Sequence, residues 1–150
     1  MCIRDSHEVG RAARRTADFM VIARIEALIA GAGMDEALKR AVAYSAAGAD
    51  AIMIHSREKS PDEILTFCKL YRDALGVANA KPIVVVPSSY NVIYESELAA
   101  AGVSVIIYAN HLLRASYPAM LSVAEGILKN ARSKEVDLSL IHISEPTRPY

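Results

Sequence analysis

Four short apolar runs separated by stretches of helical periodicity confine this chain to a narrow set of folds. The runs lie at about 18–26 (DFMVIARIE), 49–56 (ADAIMIHS), 81–87 (KPIVVVP) and 103–110 (VSVIIYAN). The first is almost uninterrupted by polar residues, as in a parallel strand covered on both faces. Asp35 to Ala47 carries Ala37, Leu38, Ala41, Val42 and Tyr44 near helical spacing, with Gly48 to stop it. Ser60-Pro61-Asp62-Glu63 joins an N-cap, a proline at the first helical position and a glutamate, which predicts a capping box. The helix it opens runs to about Leu75 and sets Ile64, Phe67, Cys68 and Tyr71 on one side. A short helix from Glu95 to Ala101 ends at Gly102, a last one spans His111 to Arg132 with Pro118 inside, and His7 to Arg15 reads as the end of an earlier helix. Strands alternating with helices imply a parallel sheet. Right-handed crossovers leave two architectures, an open doubly wound sheet or an arc of a (β/α)8 barrel. No glycine-rich fingerprint follows any strand, which counts against a dinucleotide-binding fold.

The stretch from Asp18 to Gly33 holds the most telling charges. With a side-chain period of two, Ile22, Arg24 and Glu26 share one face while Val21, Ala23 and Ile25 share the other. A guanidinium at the end of so apolar a strand needs an acidic partner or an anionic ligand, since a buried unpaired charge costs several kcal/mol. A purely structural Arg24–Glu26 pair at the rim of the sheet meets that need equally well. Gly31 and Gly33 then break the strand ahead of the helix. The other runs also end in polar residues: His55 and Ser56, Ser88 and Ser89, Asn110 and His111. In a barrel such strand ends line one mouth, where enzymes of that fold hold their sites.

Both ends have a different origin. MCIRDS at the start and LSLIHI from Leu138 are encodable by two DNA strings that are reverse complements of each other, the mark of translated sequencing-library adapter. Residues 1–6 and 138–150 are therefore expected to be non-native, leaving 7–137 as a partial domain. Net charge is zero and stays zero on trimming, because Arg4 and Arg148 leave with Asp5 and Glu145. No basic tract exceeds Arg14-Arg15, and no apolar run approaches the roughly 18 residues of a membrane span, so neither nucleic acid nor membrane is an expected partner. With Cys2 in the adapter, Cys68 stands alone and suits a small core residue of a cytoplasmic protein rather than a disulfide or metal cluster.

IARIEALIAG (22–31), AGADAIMIHS (47–56), PIVVVPSSYN (82–91) and VIIYANHLLRAS (105–116) together resemble the phosphoenolpyruvate mutase branch of the isocitrate lyase superfamily. The likeness runs through about residues 8–135 in matching order and spacing, and Arg-x-Glu-Ala at 24–27 is its most specific part, since the lyase branch carries Arg-Thr-Asp-Ala there. The resemblance implies a (β/α)8 barrel, of which this chain supplies strands five to eight. It implies a homodimer or homotetramer with the last helix exchanged, and a Mg²⁺-dependent transfer of phosphoryl from oxygen to carbon, converting phosphoenolpyruvate to phosphonopyruvate in phosphonate biosynthesis. On this reading Arg24 clamps the phosphoryl group and His55 lies beside it on the substrate. Glu26 orients Arg24, Ser88 and Asn110 are supporting mouth residues, His111 packs at the start of the last helix, and Arg114 serves the subunit contact. The catalytic aspartate, the gating loop and the acids that hold Mg²⁺ are expected upstream of His7, so the chain by itself is expected to be inactive. Asp50, Asp62 and Glu63 are expected at strand starts or helix caps, away from the mouth. Two related activities compete: phosphonopyruvate hydrolysis, and a methylisocitrate lyase-like carbon–carbon cleavage that Glu26 disfavours.

Overall fold

The computed structural model describes residues 3–16 and 18–137; the tail at 138–150, expected to derive from adapter, lies outside them. The chain divides into two compact units, Met1–Ala109 and Asn110–Tyr150.

The first unit begins with α1 (Ile3–Ala12) and then alternates β1 (Ile22–Ile25), α2 (Gly33–Ala46), β2 (Ala51–Ile54), α3 (Asp62–Leu75), β3 (Ile83–Val85), α4 (Glu95–Ala100) and β4 (Val103–Ile106). The strands form one sheet in the order β1-β2-β3-β4, each pair parallel. That order decides between the two architectures left open by sequence. A doubly wound sheet reverses its strand order at a switch point, whereas a barrel adds each strand beside the last. The unit is an arc of parallel (β/α) repeats, about half of a TIM-like barrel.

The two faces of the sheet differ. Ala23, Ile25, Ile52, Ile54, Ile83 and Val85 point into the core, against Ala37, Ala41 and Tyr44 of α2 and Ile64, Phe67, Cys68 and Tyr71 of α3. Tyr71 ties the layers together: it stacks on Phe67 with ring centroids 5.8 Å apart, and its hydroxyl lies 2.7 Å from Ser45 Oγ and accepts from the Lys81 amide at 3.1 Å. The opposite face carries Ile22, Arg24, Met53 and Val105, and Ile22 and Val105 remain exposed. The expectation of a first strand buried on both faces is therefore corrected. Burial alternates along β1, so one of its faces is open, and its apolar run marks a barrel lining rather than a sandwiched strand.

Every strand is shorter than its apolar run. Phe19 and Met20 are exposed and outside the ladder, because Arg14 takes the Phe19 carbonyl and pairing starts only where the Asp50 amide donates to the Val21 carbonyl. The capping box is also corrected. Ser60 Oγ does accept from the Asp62 amide, at 3.3 Å, but Glu63 does not reach back to Ser60; it bonds Ser56 instead. Two glycines are favoured by backbone conformation. Gly48 and Gly102 each sit at φ 93°, ahead of β2 and β4, and a Cβ on either would run into the guanidinium of Arg11 or Arg72 lying across it.

The second unit is α5 (His111–Asn130), which continues through Pro118, followed by a 3-10 turn (Lys134–Val136) that returns Val136 onto Gly126.

Candidate substrate-binding site

Register brings the charged residues together. β1 and β2 pair Arg24 with Met53 and Ile25 with Ile54, so Glu26 and His55 follow side by side just past the ladder, on the face of Arg24. Arg24 donates through Nε to Glu26 Oε1 and through Nη2 to His55 Nδ1 at 2.8 Å. His55 Nδ1 lies 3.8 Å from the same Glu26 oxygen.

The hydrogen bonds define the imidazole. A guanidinium has only donors, so Nδ1 must accept, and the ring is the neutral tautomer with its hydrogen on Nε2. The arrangement thus offers remaining guanidinium N–H groups and one imidazole N–H from a single patch, a set suited to an anionic oxygen cluster. The patch is open: Arg24 is 53% exposed, Glu26 43% and His55 25%. An exposed ion pair stabilises a fold by only about 0–1 kcal/mol. Stability is therefore a poor reason for seating Arg24 and Glu26 on the apolar face of a strand, and anion binding is a better one.

The supporting residues are less gathered. Ser88 follows β3 in a turn where its amide donates to the Val86 carbonyl at 2.8 Å, and the loop is anchored by fully buried Tyr90. No hydrogen bond joins Ser88 to the trio. Asn110 opens the second unit in a left-handed conformation, φ 63°, and its carbonyl accepts from the Arg114 amide at 2.8 Å. His111 is the first residue of α5.

Two hydroxyl–carboxylate bonds at the same ends of the strands escaped the sequence reading. Ser56 Oγ donates to Glu63 Oε2, and Tyr108 Oη donates to Glu95 Oε1 at 2.6 Å. In a βα unit the helix starts where its strand finishes, so an acid in the first helical turn lies near the strand's C-terminal end. Glu63 does stand in the first turn of α3, as expected, and its bond there is to Ser56, the residue after His55. Asp50 does lie at a strand start, accepting from the Val21 amide at 2.8 Å and pairing with Arg14 at 3.1 Å.

A Mg²⁺ site needs several oxygen ligands in octahedral array. Among the described residues no three His, Cys, Asp or Glu side chains converge, and Glu26 is engaged by Arg24. These residues do not form one.

Residues 3–128 match the protein family described as phosphoenolpyruvate phosphomutase. The chain is 46% identical over 135 residues to phosphonopyruvate hydrolase of Variovorax sp. (strain Pal2), covering 89% of this chain and 44% of that protein. It superposes on the crystal structure of phosphoenolpyruvate phosphomutase from Streptomyces platensis subsp. rosaceus with TM-score 0.81 and 44% identity, covering 93% of this chain and 48% of the other. A phosphonopyruvate hydrolase crystallised with oxalate and Mg²⁺ gives TM-score 0.80 and 43% identity, over 94% of this chain and 49% of that one. The chain thus spans about half the length of the proteins it matches.

Proposed function

Because the chain belongs to the phosphoenolpyruvate phosphomutase family, we propose that it is the C-terminal half-barrel of an enzyme interconverting phosphoenolpyruvate and phosphonopyruvate. The observation that carries the proposal is the convergence of Arg24, within the β1 ladder, with His55, just past the end of β2, 2.8 Å apart. In this reaction the bond from phosphorus to the enol oxygen breaks, its electrons form the C2 carbonyl, and C3 forms the new bond to phosphorus. A phosphoryl group in flight is loosely bonded and highly anionic, so the protein chiefly positions it and stabilises its charge. Arg24 suits that task, being always protonated, planar and able to donate two parallel hydrogen bonds. His55 adds its Nε2–H from beside the arginine, and Glu26 fixes the guanidinium plane through Nε. The catalytic aspartate and the Mg²⁺ ligands of the intact enzyme would come from outside this chain. A relative crystallised with Mg²⁺ supports the metal requirement. The chain alone is then a substrate clamp without turnover. A homodimer or homotetramer in the cytoplasm completes the proposal; exposed Leu112, Leu113 and Leu128 on α5 support the assembly.

Hydrolysis of phosphonopyruvate is the second reading, favoured by the 46% identity to the Variovorax enzyme. There the carbon–phosphorus bond breaks, C3 takes a proton, and water carries off the phosphoryl group. The test is phosphorus NMR of the full-length protein with phosphonopyruvate and Mg²⁺. We expect the phosphonate resonance to be replaced by that of phosphoenolpyruvate. Inorganic phosphate with equimolar pyruvate would establish the hydrolase, and an unchanged phosphonate signal would overturn both.

A further inference from the structure

We propose that Glu63, acting through Ser56, is a positioning residue for His55; the inference rests on the reading of His55 as a substrate-binding group. Along an extended segment neighbouring side chains point to opposite faces. His55 turns to the open face beside Arg24, and Ser56 turns inward, where it is only 1% exposed. The buried hydroxyl donates to Glu63 Oε2 and accepts from the Glu58 amide at 3.1 Å. Both bonds grip the backbone just where β2 leaves the ladder. The far end of the first bond is firm, because Glu63 stands in the first turn of α3, next to Ile64, and that helix is held in the core by Ile64, Phe67, Cys68 and Tyr71.

Helix capping does not explain Glu63. The side chain of Ser60 bonds Asp62, both as donor to its carboxylate at 2.6 Å and as acceptor from its amide. A hydrogen bond to a carboxylate is roughly twice as strong as one between neutral groups, and removing Glu63 leaves the buried Ser56 hydroxyl with no acceptor for its proton. Ser56 therefore holds one backbone geometry, and that geometry fixes which nitrogen of His55 meets Arg24. Released, the ring turns away from Arg24 and its Nε2–H leaves the anion.

In the full-length enzyme Glu63→Ala is expected to lower kcat about 10- to 100-fold, the scale set by displacing a reacting partner by an ångström. KM should shift less than about threefold, because Arg24 still binds the ground state. Ser56→Ala should match it, and the double variant should be no worse than either alone. Glu63→Gln keeps an acceptor oxygen and should recover most of kcat. Nitrogen-15 spectra of His55 should show the Nε2–H tautomer in the wild type and a tautomer mixture in Glu63→Ala. Ser56→Ala carries the same comparisons if Glu63→Ala does not fold. Wild-type kcat in both alanine variants overturns the proposal, as does a glutamine variant as impaired as the alanine one. Lost kcat with an unchanged imidazole spectrum also overturns it. A wild-type enzyme that acts on neither phosphonopyruvate nor phosphoenolpyruvate fails the reading of the site, and the tautomer spectra then judge the clasp alone.

Discussion

Arg24 is a residue that its strand gives no reason to keep. It stands between Ile22 and Glu26 on the uncovered face of β1, half exposed, with Nε and Nη2 already committed to Glu26 and His55. A fixed guanidinium with N–H groups to spare is organised before any ligand arrives, and such preorganisation is where electrostatic stabilisation of a transition state originates. Lysine would keep the charge but lose the fork, the hydrogen bond to His55 and the plane set by Glu26. In the full-length enzyme Arg24→Lys is expected to lose about 10²-fold in kcat, and Ser88→Ala less than about threefold. Steady-state kinetics with phosphonopyruvate checks this, and equal losses would remove Arg24 from the role. Arg24 and Glu26 were legible in the sequence because a charge in an apolar strand demands an explanation. His55 was not legible by that logic. A histidine at a strand end is common, and only the register of β1 on β2 shows that it faces the arginine.

At the scale of elements, the entry to β1 is closed by a neighbouring strand. Asp50, just ahead of β2, accepts from the Val21 amide through Oδ2 and pairs with Arg14, while its own amide donates to the Val21 carbonyl. The Val21 amide, reinforced by Arg14 and Arg11, holds the Asp50 carboxyl below its ordinary range. A carboxylate depressed in the folded state adds stability that is complete above its unfolded value, about 3.9, and is lost as pH falls through the folded one. Asp50→Asn is thus expected to destabilise the full-length protein by about 1 kcal/mol at neutral pH. Its deficit in melting temperature should shrink as the pH is taken below about 4. A deficit constant from pH 7 to 3 would show that shape, not charge, is what Asp50 contributes. The same elements show what sequence pattern conveys. Each helix and strand was foreseen near its place, because apolar periodicity reports burial. Their ends were not, because Phe19 and Met20 are as strand-prone as Ile22 yet have no neighbouring strand to pair with. The partner of Glu63 was not legible because its spacing from Ser60 fits a capping box, whereas the fold offers it a buried hydroxyl just past the end of the preceding strand.

For the whole molecule, the described sheet ends in two edge strands, β1 and β4, and Ile22 and Val105 stand exposed on one of its faces. In a closed barrel neither edge exists, and the lining face is packed by residues from the other strands. Here Ile22, Val105 and Ile107 on or beside that lining remain exposed, as do Leu112, Leu113 and Leu128 of α5. Burial of apolar surface is worth about 25 cal/mol per Å², so a second copy or a missing half has a strong reason to cover what is open. Unpaired edges add a template for intermolecular strand pairing. The chain expressed alone is therefore expected to self-associate at micromolar concentration, binding a hydrophobic dye and melting without a sharp transition. Co-expression with the first half of the barrel from the same gene should replace that behaviour by one cooperative melt and should restore turnover. Sedimentation and calorimetry of the two preparations make the comparison. If the chain alone runs as a monodisperse monomer with a cooperative melt, its exposed lining is a stable surface in its own right, and the half-barrel argument fails. A monodisperse dimer would mean that a second copy closes the sheet in place of the missing strands.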